Sequence, residues 1–160
     1  MTTFRVRRAG RADLPLIVER WLELMAAHQA IDPVLYATAS HAEGTYRAFV
    51  RRHFDKPDSV VLVATDPGDR QVLGYLVGGS GQRAPMFRIR QVGMIFDLAV
   101  RPDQRRRGVG RALVDVALAH FRQRGMGYAQ VNFDPSNPSA SGFWPAQGFD
   151  VLLCEAYRPL

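Results

Sequence analysis

Four arginines and two glycines lie within seven residues, where an apolar segment gives way to a segment of helical period: Arg105, Arg106, Arg107, Gly108, Gly110 and Arg111. Guanidinium groups bind phosphate in a bidentate manner, and glycines at the start of a helix let the backbone approach a ligand closely. The first amides of a helix lack partners within it, and the helix dipole adds partial positive charge there. The segment therefore predicts a site for a phosphate-bearing ligand.

Two common phosphate-binding loops do not fit this segment. A P-loop requires Gly-Lys-Ser or Gly-Lys-Thr, but Gly110 is followed by Arg111 and Ala112. The dinucleotide fingerprint requires a glycine at position 113, where the chain has Leu113. The remaining pattern is Arg-x-x-Gly-x-Gly at 105–110. An arginine-rich turn with glycines for tight packing is the alternative interpretation.

A single carboxylate, Asp97, interrupts the apolar run from Met94 to Val100. A carboxyl group in an apolar strand has a raised pKa and is suited to act as a general base. The alternative is a structural role, in which Asp97 pairs with an arginine or caps a backbone group. The four histidines show no metal-ligand spacing, so no metal site is predicted, and we expect His53 and His120 to be solvated.

Helical and strand patterns surround these residues. Met94–Val100 predicts a largely buried strand because it is short, apolar and followed by a turn signal. After Gly110 the apolar residues recur on one face of a helix, which Gly125 and Gly127 end. The apolar positions of that face are Leu113, Val114, Ala117, Leu118 and Phe121.

The whole chain predicts an α/β protein with the element order β-α-α-β-β-β-α-β-α-β. The first helix follows Asp13 as N-cap, and a capping box of Ser40 and Glu43 opens the second helix, which runs through about His53. Asn137 and Pro138 are suited to the N-cap and first position of the last helix. Segment 82–90 is predicted to be a loop or an extended hairpin, and the alternation of apolar and charged residues at 87–90 favours a strand there. The predicted strands are 4–7, 60–64, 72–77, 94–100, 128–133 and a last strand or bent hairpin at 149–157.

Length and composition indicate one globular domain. The chain has 160 residues, 47% of them apolar and 22% charged. No apolar run approaches the roughly 20 residues that span a bilayer, and no signal-peptide core precedes the first charges. The single Cys154 has no partner for an internal disulfide. These features predict a cytoplasmic protein without a membrane partner.

The net charge of +6 raises nucleic-acid binding as a further hypothesis. Segment 101–111 contains five Arg and one Asp, a local charge of +4 that leaves +2 for the rest of the chain. Because the charge is concentrated where a polyphosphate is expected, we predict no nucleic-acid partner.

Two motifs carry a resemblance to a known family. The run IFDLAVRPDQRRRGVGRAL at 95–113 resembles the acyl-coenzyme A loop of the GCN5-related N-acetyltransferases (GNAT). The pattern Asn137-x-x-Ala140-x-x-Phe143-Trp144-x-x-x-Gly148-Phe149 is similar to a second motif of that family. The resemblance implies a GNAT fold over a single domain, 1–160, with one mixed, centrally splayed sheet and helices on both faces.

The resemblance also implies roles for these residues. The co-substrate would be acetyl-CoA, and the acceptor a primary amine on a small molecule or peptide that attacks the thioester directly in a ternary complex. Asn137 and Phe143 would flank the pantetheine arm, and Trp144 would pack on the coenzyme. Strand-edge groups for the pantetheine would come from Leu98, Ala99 and Val100, and the pyrophosphate would bind at Arg105, Arg106, Arg107, Gly108, Val109, Gly110 and Arg111.

The chain departs from the family at position 144. Many members have Tyr there as general acid toward the leaving thiolate, whereas Trp144 has only an indole N–H. Either the thiolate leaves unassisted, since its pKa is near ~8.5, or Tyr36, Tyr128 or Tyr157 serves. The departure keeps a second function open, a non-catalytic acyl-CoA-binding or sensor domain. An exposed last strand would permit a homodimer.

Overall fold

The computed structural model describes residues 3–160, so Met1 and Thr2 of the predicted 1–160 domain lie outside the described part. One five-stranded sheet has the order β1-β2-β3-β4-β5. The strands are β1 (Arg5–Arg8), β2 (Val60–Thr65), β3 (Val72–Gln82), β4 (Gln91–Val100) and β5 (Ala129–Val131). The helices are α1 (Leu14–Ile31), α2 (Ala42–Phe54), α3 (Val109–Gln123) and α4 (Pro138–Ala146).

The sheet is mixed. β1 to β4 pair antiparallel through hairpins and longer connections, and β4 pairs parallel with β5 across the α3 crossover. Both faces of the sheet are covered, which explains why every residue of β2 is buried. One core lies under α1 and α2, and a second core lies under α3 and includes Trp144 of α4. The predicted mixed sheet with helices on both faces is confirmed.

Close packing of α3 on the sheet depends on Gly93. A β-carbon at this position would lie 2.3 Å from Cδ2 of Phe121, closer than real carbon atoms approach. Phe121 is 2% exposed and ends the apolar face of α3. The ring therefore occupies the space that a side chain at position 93 would need, and this fixes how closely α3 approaches β4.

The sheet opens between β4 and β5. Their parallel ladder pairs Gly93, Met94 and Ile95 with 129–131, whereas β4 continues to Val100. Residues 96–100 of β4 therefore pair with β3 alone. This divergence is the expected central splay of the sheet.

The predicted last strand at 149–157 is wrong. Residues 150–160 are exposed and form no strand within the described chain. The apolar residues Val151, Leu152 and Leu153 are consecutive rather than alternating, so they do not form one buried face, and they are 64%, 80% and 82% exposed. The neighbouring edge strand β5 has only three residues and offers a short ladder.

Two local predictions in the connections are also wrong. Residues 87–90 are not the strand that their alternation favours; the loop alternative for 82–90 is correct, and the Arg83 amide closes this loop by donating to the Arg90 carbonyl at 2.7 Å. The N-cap of α2 is His41, and no side chain caps it, so the expected box of Ser40 and Glu43 does not form. A turn closed by Ala42 N–H to Ala39 O at 3.0 Å delays the helix start.

The two histidines expected in solvent are buried instead. His53 lies against Phe49 and Phe96, with Nδ1 2.8 Å from the Phe49 carbonyl oxygen. Nδ1 of His120 accepts a hydrogen bond from Arg8 at 3.0 Å, because a guanidinium only donates. Burial lowers the pKa of both histidines, so both are neutral at neutral pH.

Substituting Gly93 by Ala tests the packing of α3. We expect the free energy of unfolding to fall by about 1–3 kcal/mol, because Phe121 must move away from the new methyl group. Gly44 on α2 is the matched control, since its β-carbon would meet nothing within 4 Å. Gly44→Ala should leave stability unchanged or raise it by up to about 1 kcal/mol. Urea denaturation measures both, and equal stability of the two variants would contradict the packing argument.

Candidate active site

The loop between β4 and α3 has an unusual backbone. After a single 3₁₀ turn at Pro102–Gln104, Arg106 takes φ of +61° and Gly108 takes φ of +83°. A left-handed conformation is strained for Arg106, and such strain concentrates at functional sites. Left-handed residues on either side of Arg107 turn successive amides toward one side, an arrangement that forms anion-binding concavities.

The same loop leads into a helix start without a side-chain cap. Gly108 is the N-cap of α3 and has no side chain to satisfy the first amides. The Ala112 amide donates to the Gly108 carbonyl at 3.0 Å, so helical bonding begins only there. The amides of Val109, Gly110 and Arg111 therefore form a donor site at the positive end of the helix dipole.

Guanidinium groups surround this helix start. Arg105 donates through Nε to the Val100 carbonyl at 3.2 Å, which holds the loop against the end of β4. Arg106 and Arg107 are exposed. Arg111 lies 3.8 Å from Asp115 one turn along α3 and is also exposed. Four guanidinium groups thus lie in or next to the segment that contains these amides.

The backbone groups of Leu98, Ala99 and Val100, which were predicted to bind the pantetheine, do not all face the open edge of β4. The Arg101 amide donates to the Leu73 carbonyl at 2.9 Å, so the backbone groups of Arg101 and, two residues earlier, Ala99 are directed toward β3. A β-carbon on Gly74 of β3 would lie 2.9 Å from the Ala99 oxygen, in agreement with this direction. The groups that face the splay therefore belong to Leu98 and Val100.

The helix α4 lies against the start of α3. The Asn137 side chain accepts hydrogen bonds from the amides of Ser139 and Ala140 at 3.1 and 3.4 Å, as predicted for the N-cap. A β-carbon on Gly110 would lie 3.2 Å from Cε2 of Phe143, so this ring contacts the first turn of α3. The structure thus brings the two sequence motifs together.

Trp144 lies behind Phe143 in the core. It is 5% exposed, and its ring packs edge-on against Phe143 and Phe149, with centroid distances of 5.0 and 5.3 Å. Little of the indole is available to a ligand. The side chain that departs from the family pattern therefore stabilises the packing beneath the site.

Asp97 is positioned by an irregularity in β4. The register shifts between Val77 and Gly78, so that Asp97 pairs with Val77 while Ile95 pairs with Gly78, and Phe96 is the extra residue. Ile95 packs in the core under α3, whereas Phe96 contacts Phe49 of α2. Because of the bulge, the next residue, Asp97, also faces α2.

The surroundings of Asp97 suit a base. The carboxyl is half-buried, and its Oδ2 accepts a hydrogen bond from Tyr46 of α2 at 3.0 Å. Burial raises the pKa of Asp97 to about 6, and the Tyr46 hydrogen bond opposes the rise. The predicted alternatives, an arginine partner or a backbone cap, are not present among residues 3–160.

Sequence reasoning missed Tyr46 and its neighbour Tyr75. Tyr46 is 51 residues from Asp97 in the chain, and Tyr75 lies on β3 with its hydroxyl 3.2 Å from that of Tyr46. Both positions carry an aromatic residue in an apolar pattern, which is typical of core. No local signal distinguishes a core tyrosine from one that contacts a functional carboxylate.

The three tyrosines considered as acids lie in different settings. Tyr36 donates its hydroxyl to Asp134 at 2.8 Å, and burial together with this bond raises its pKa to about 12. Tyr157 is exposed and donates to Glu155. Tyr128, immediately before β5, is 62% exposed. The structure brings none of them into contact with Asp97.

Residues 3–160 contain neither a candidate metal cluster nor a candidate membrane span. No group of three or more His, Cys, Asp or Glu side chains there is arranged to hold a metal ion. Within the same residues, each helix is too short or too polar to cross a bilayer.

Comparisons with known proteins agree with this geometry. A [Ribosomal protein bS18]-alanine N-acetyltransferase of Escherichia coli K12 is 30% identical over 126 residues, which cover 76% of this chain and 79% of the relative. A mutant of the BH1408 protein from Bacillus halodurans has the same fold, with a TM-score of 0.84, 19% identity, and coverage of 98% and 99% of the two chains.

An aminoglycoside N-acetyltransferase, AAC(6')-Iy, solved in complex with CoA, has a TM-score of 0.73 at 15% identity and covers 100% of this chain and 96% of its own. Residues 21–149 match the Acetyltransferase (GNAT) family. The chain therefore belongs to the GNAT family and is an N-acetyltransferase.

Proposed function

We propose that the protein transfers an acetyl group from acetyl-CoA to a primary amine by direct attack in a ternary complex, within a single domain at 1–160. The observation that carries this proposal is that the end of β4 and the start of α3, which one loop joins, lie next to each other. The uncapped start of α3 adjoins the open edge of β4, and β4 also holds a carboxylate with a raised pKa.

The residues at the splay fit coenzyme A. The amides of 106–111 and the guanidiniums of Arg105, Arg106, Arg107 and Arg111 match a diphosphate. The edge groups of Leu98 and Val100 match an arm that contains amides, which would pair with β4 as a strand does. Phe143 borders the same space, Asn137 caps the helix that carries Phe143, and Trp144 lies behind that ring. When bound, acetyl-CoA supplies the acetyl group as an activated thioester.

We assign Asp97 as the general base. The acceptor amine must lose a proton before it can attack the thioester. A carboxylate with a pKa of about 6 is ionised at neutral pH yet basic enough to accept that proton. The backbone amides at the open edge of β4 can donate to developing negative charge on oxygen. The chain itself forms no covalent intermediate in this scheme.

We assign no side chain as the acid. Trp144 is buried, and its indole N–H does not release a proton at neutral pH. Tyr36 directs its proton to Asp134, and its pKa of about 12 opposes release. Tyr128 and Tyr157 are exposed to solvent. The position that supplies an acid in many family members therefore serves packing in this chain.

The acceptor is a primary amine of a peptide or small molecule. The E. coli relative is named for an alanine of a ribosomal protein, and several proteins of similar fold are named for aminoglycosides. An acceptor panel therefore begins with peptides that have an N-terminal alanine and with aminoglycosides. A cytoplasmic location, inferred from the unpaired Cys154, stays a prediction.

Gly108→Ala tests the coenzyme site. The new side chain meets nothing within 4 Å, so its effect comes from φ of +83°, which disfavours Ala and shifts the first amides of α3. We expect coenzyme A affinity, measured by calorimetry, to fall at least about tenfold, equivalent to 1.4 kcal/mol.

The other end of the same helix supplies the control. Gly125 has φ of +76° and equally open surroundings, so Gly125→Ala carries a similar conformational cost. This variant should lose similar stability but keep its coenzyme affinity. Equal loss of affinity in both variants would show that general destabilisation, rather than the loop, governs binding.

Asp97→Asn tests the base. Thiol release with acetyl-CoA and the acceptor panel should fall by about 10²–10⁴-fold, while coenzyme affinity is unchanged. In the wild type, kcat/KM should rise with pH through about 6, because the base acts only when ionised, and the variant should lack this limb. Asp55→Asn, at an exposed ion pair with Arg11, is the control carboxylate. Full activity of Asp97→Asn would refute the assignment, and coenzyme binding without turnover in the wild type would favour a sensor.

A homodimer is proposed on the exposed residues Val151, Leu152 and Leu153, which follow the free edge of the sheet. Sedimentation velocity should show a dimer in the wild type, because association removes these side chains from water. Replacing Leu152 and Leu153 by Glu should give a monomer with unchanged coenzyme affinity. A wild-type monomer at all concentrations tested would exclude this interface.

A further inference from the structure

Two buried phenols form a short chain of hydroxyls that ends on Asp97. The Tyr46 oxygen lies 3.0 Å from Oδ2 of Asp97 and 3.2 Å from the Tyr75 oxygen. Tyr46 is 7% exposed and Tyr75 is fully buried. The Tyr46 ring stacks on Trp21 with a centroid distance of 4.3 Å and an interplanar angle of 7°. The positions of the three oxygens are therefore fixed by packing on both sides of the chain.

The number of available protons determines which oxygen donates in each of these hydrogen bonds. An ionised carboxylate only accepts, and each phenol has one proton to donate. When Asp97 is ionised, the Tyr46 proton must lie toward Oδ2, since two oxygens without a proton between them would repel at this distance. The Tyr46 oxygen then accepts from Tyr75, and every buried hydroxyl proton in the chain has an acceptor.

Protonation of Oδ2 would reverse the direction. Tyr46 would then accept from Asp97 and donate to Tyr75, which leaves the Tyr75 proton without an acceptor among the described residues. An unsatisfied donor in a fully buried side chain is costly. The chain of phenols therefore favours the ionised form of Asp97 and disfavours a proton on Oδ2.

The remaining oxygen, Oδ1, is left for the substrate. No hydrogen bond from residues 3–160 reaches Oδ1 of Asp97, whereas Oδ2 is held by Tyr46. A proton taken from an amine is thus directed to Oδ1, where it does not require reversal of the phenol chain. The two oxygens of one carboxyl acquire different roles, one for positioning and one for proton transfer.

We propose that Tyr46, supported by Tyr75, is a positioning residue that keeps Asp97 ionised near neutral pH and presents Oδ1 to the acceptor amine. The kinetic part of this inference rests on the proposed function, but the ionisation of Asp97 does not. Without this chain, burial would raise the pKa of Asp97 further, and a smaller fraction of the carboxyl would be ionised at neutral pH.

The groups around Asp97 agree with this assignment. Burial raises the pKa of both Tyr46 and Tyr75 well above the usual range, so both phenols retain their protons and can donate. From α1, Trp21 adds no titratable group. From α2, His53 contacts the neighbouring Phe96, and burial keeps its pKa low and its ring neutral. Within residues 3–160, no guanidinium or second carboxylate contacts Asp97.

Carbon-detected NMR of the Asp97 carboxyl tests the inference in the free protein, with Asp97→Asn to assign the signal. In the wild type, the midpoint of the pH titration of the Asp97 carboxyl signal should lie near 6. Tyr46→Phe, which removes one oxygen and keeps the ring on Trp21, should move the midpoint upward by about one pH unit, since a hydrogen bond to a charged group is lost. Tyr75→Phe should move it in the same direction by less, because Tyr46 can still donate.

Trp21→Phe is the matched control, since it alters the packing on Tyr46 and leaves both hydroxyls in place. Its midpoint should match the wild type. The acid limb of kcat/KM should follow the NMR midpoint in each variant. An unchanged midpoint in Tyr46→Phe, or an equal shift in Trp21→Phe, would overturn the inference. A shifted midpoint with an unshifted kinetic limb would support the hydrogen-bond chain and refute Asp97 as the base.

Discussion

One extra residue in β4 determines what the two faces of this sheet can do. In a regular strand, successive side chains alternate between faces, so Asp97 would lie on the same face as Ile95, under α3. The bulge at Phe96 changes this parity: Asp97 faces Tyr46 of α2, while Leu98 packs again in the core under α3. The carboxyl group of Asp97 is thereby placed among aromatic side chains that exclude water, at the point where β4 and β5 separate. The raised pKa of Asp97 follows from this position, because burial is its main cause.

The separation of β4 and β5 supplies the other half of the site. Unpaired strand edges are usually a liability, since they attract other chains. Here the open edge at Leu98 and Val100 runs directly into the loop before α3, and Arg105 ties that loop to the Val100 carbonyl. Arg106 of this loop is held in a left-handed conformation, a strain that concentrates at functional sites. The open edge of β4 and the first amides of α3 thus form one surface that is built largely from backbone groups.

The sequence predicts the parts of this site that depend on neighbouring residues. The apolar face of α3, the glycine at its start and the Asn137 cap each follow from a few consecutive positions, and the structure has them. The bulge was not predictable, because position 96 is a phenylalanine and no glycine or other local signal there indicates an irregular strand. The hydrogen bond from Tyr46 to Asp97 joins residues 51 positions apart and depends on how α2 crosses the sheet. The prediction of a last strand was wrong for a related reason: an apolar segment forms a strand only where a partner edge exists, and β5 ends after three residues.

The difference at position 144 has a physical explanation in the same terms. A tyrosine in the place of Trp144 would bring a hydroxyl into a core of Phe143, Phe149 and the residues of α3, where it would need a partner or a path to the cleft. The larger indole instead fills this space with edge-on contacts to two rings and holds Phe143 against Gly110. The side chain thus supports the coenzyme surface from behind and contributes no proton. Acid assistance matters least when the leaving group is a thiol, whose pKa near ~8.5 lets it depart as the anion. Removing a proton from the amine is the more demanding step, and the buried hydroxyls of Tyr46 and Tyr75 accordingly lie next to Asp97, the proposed base.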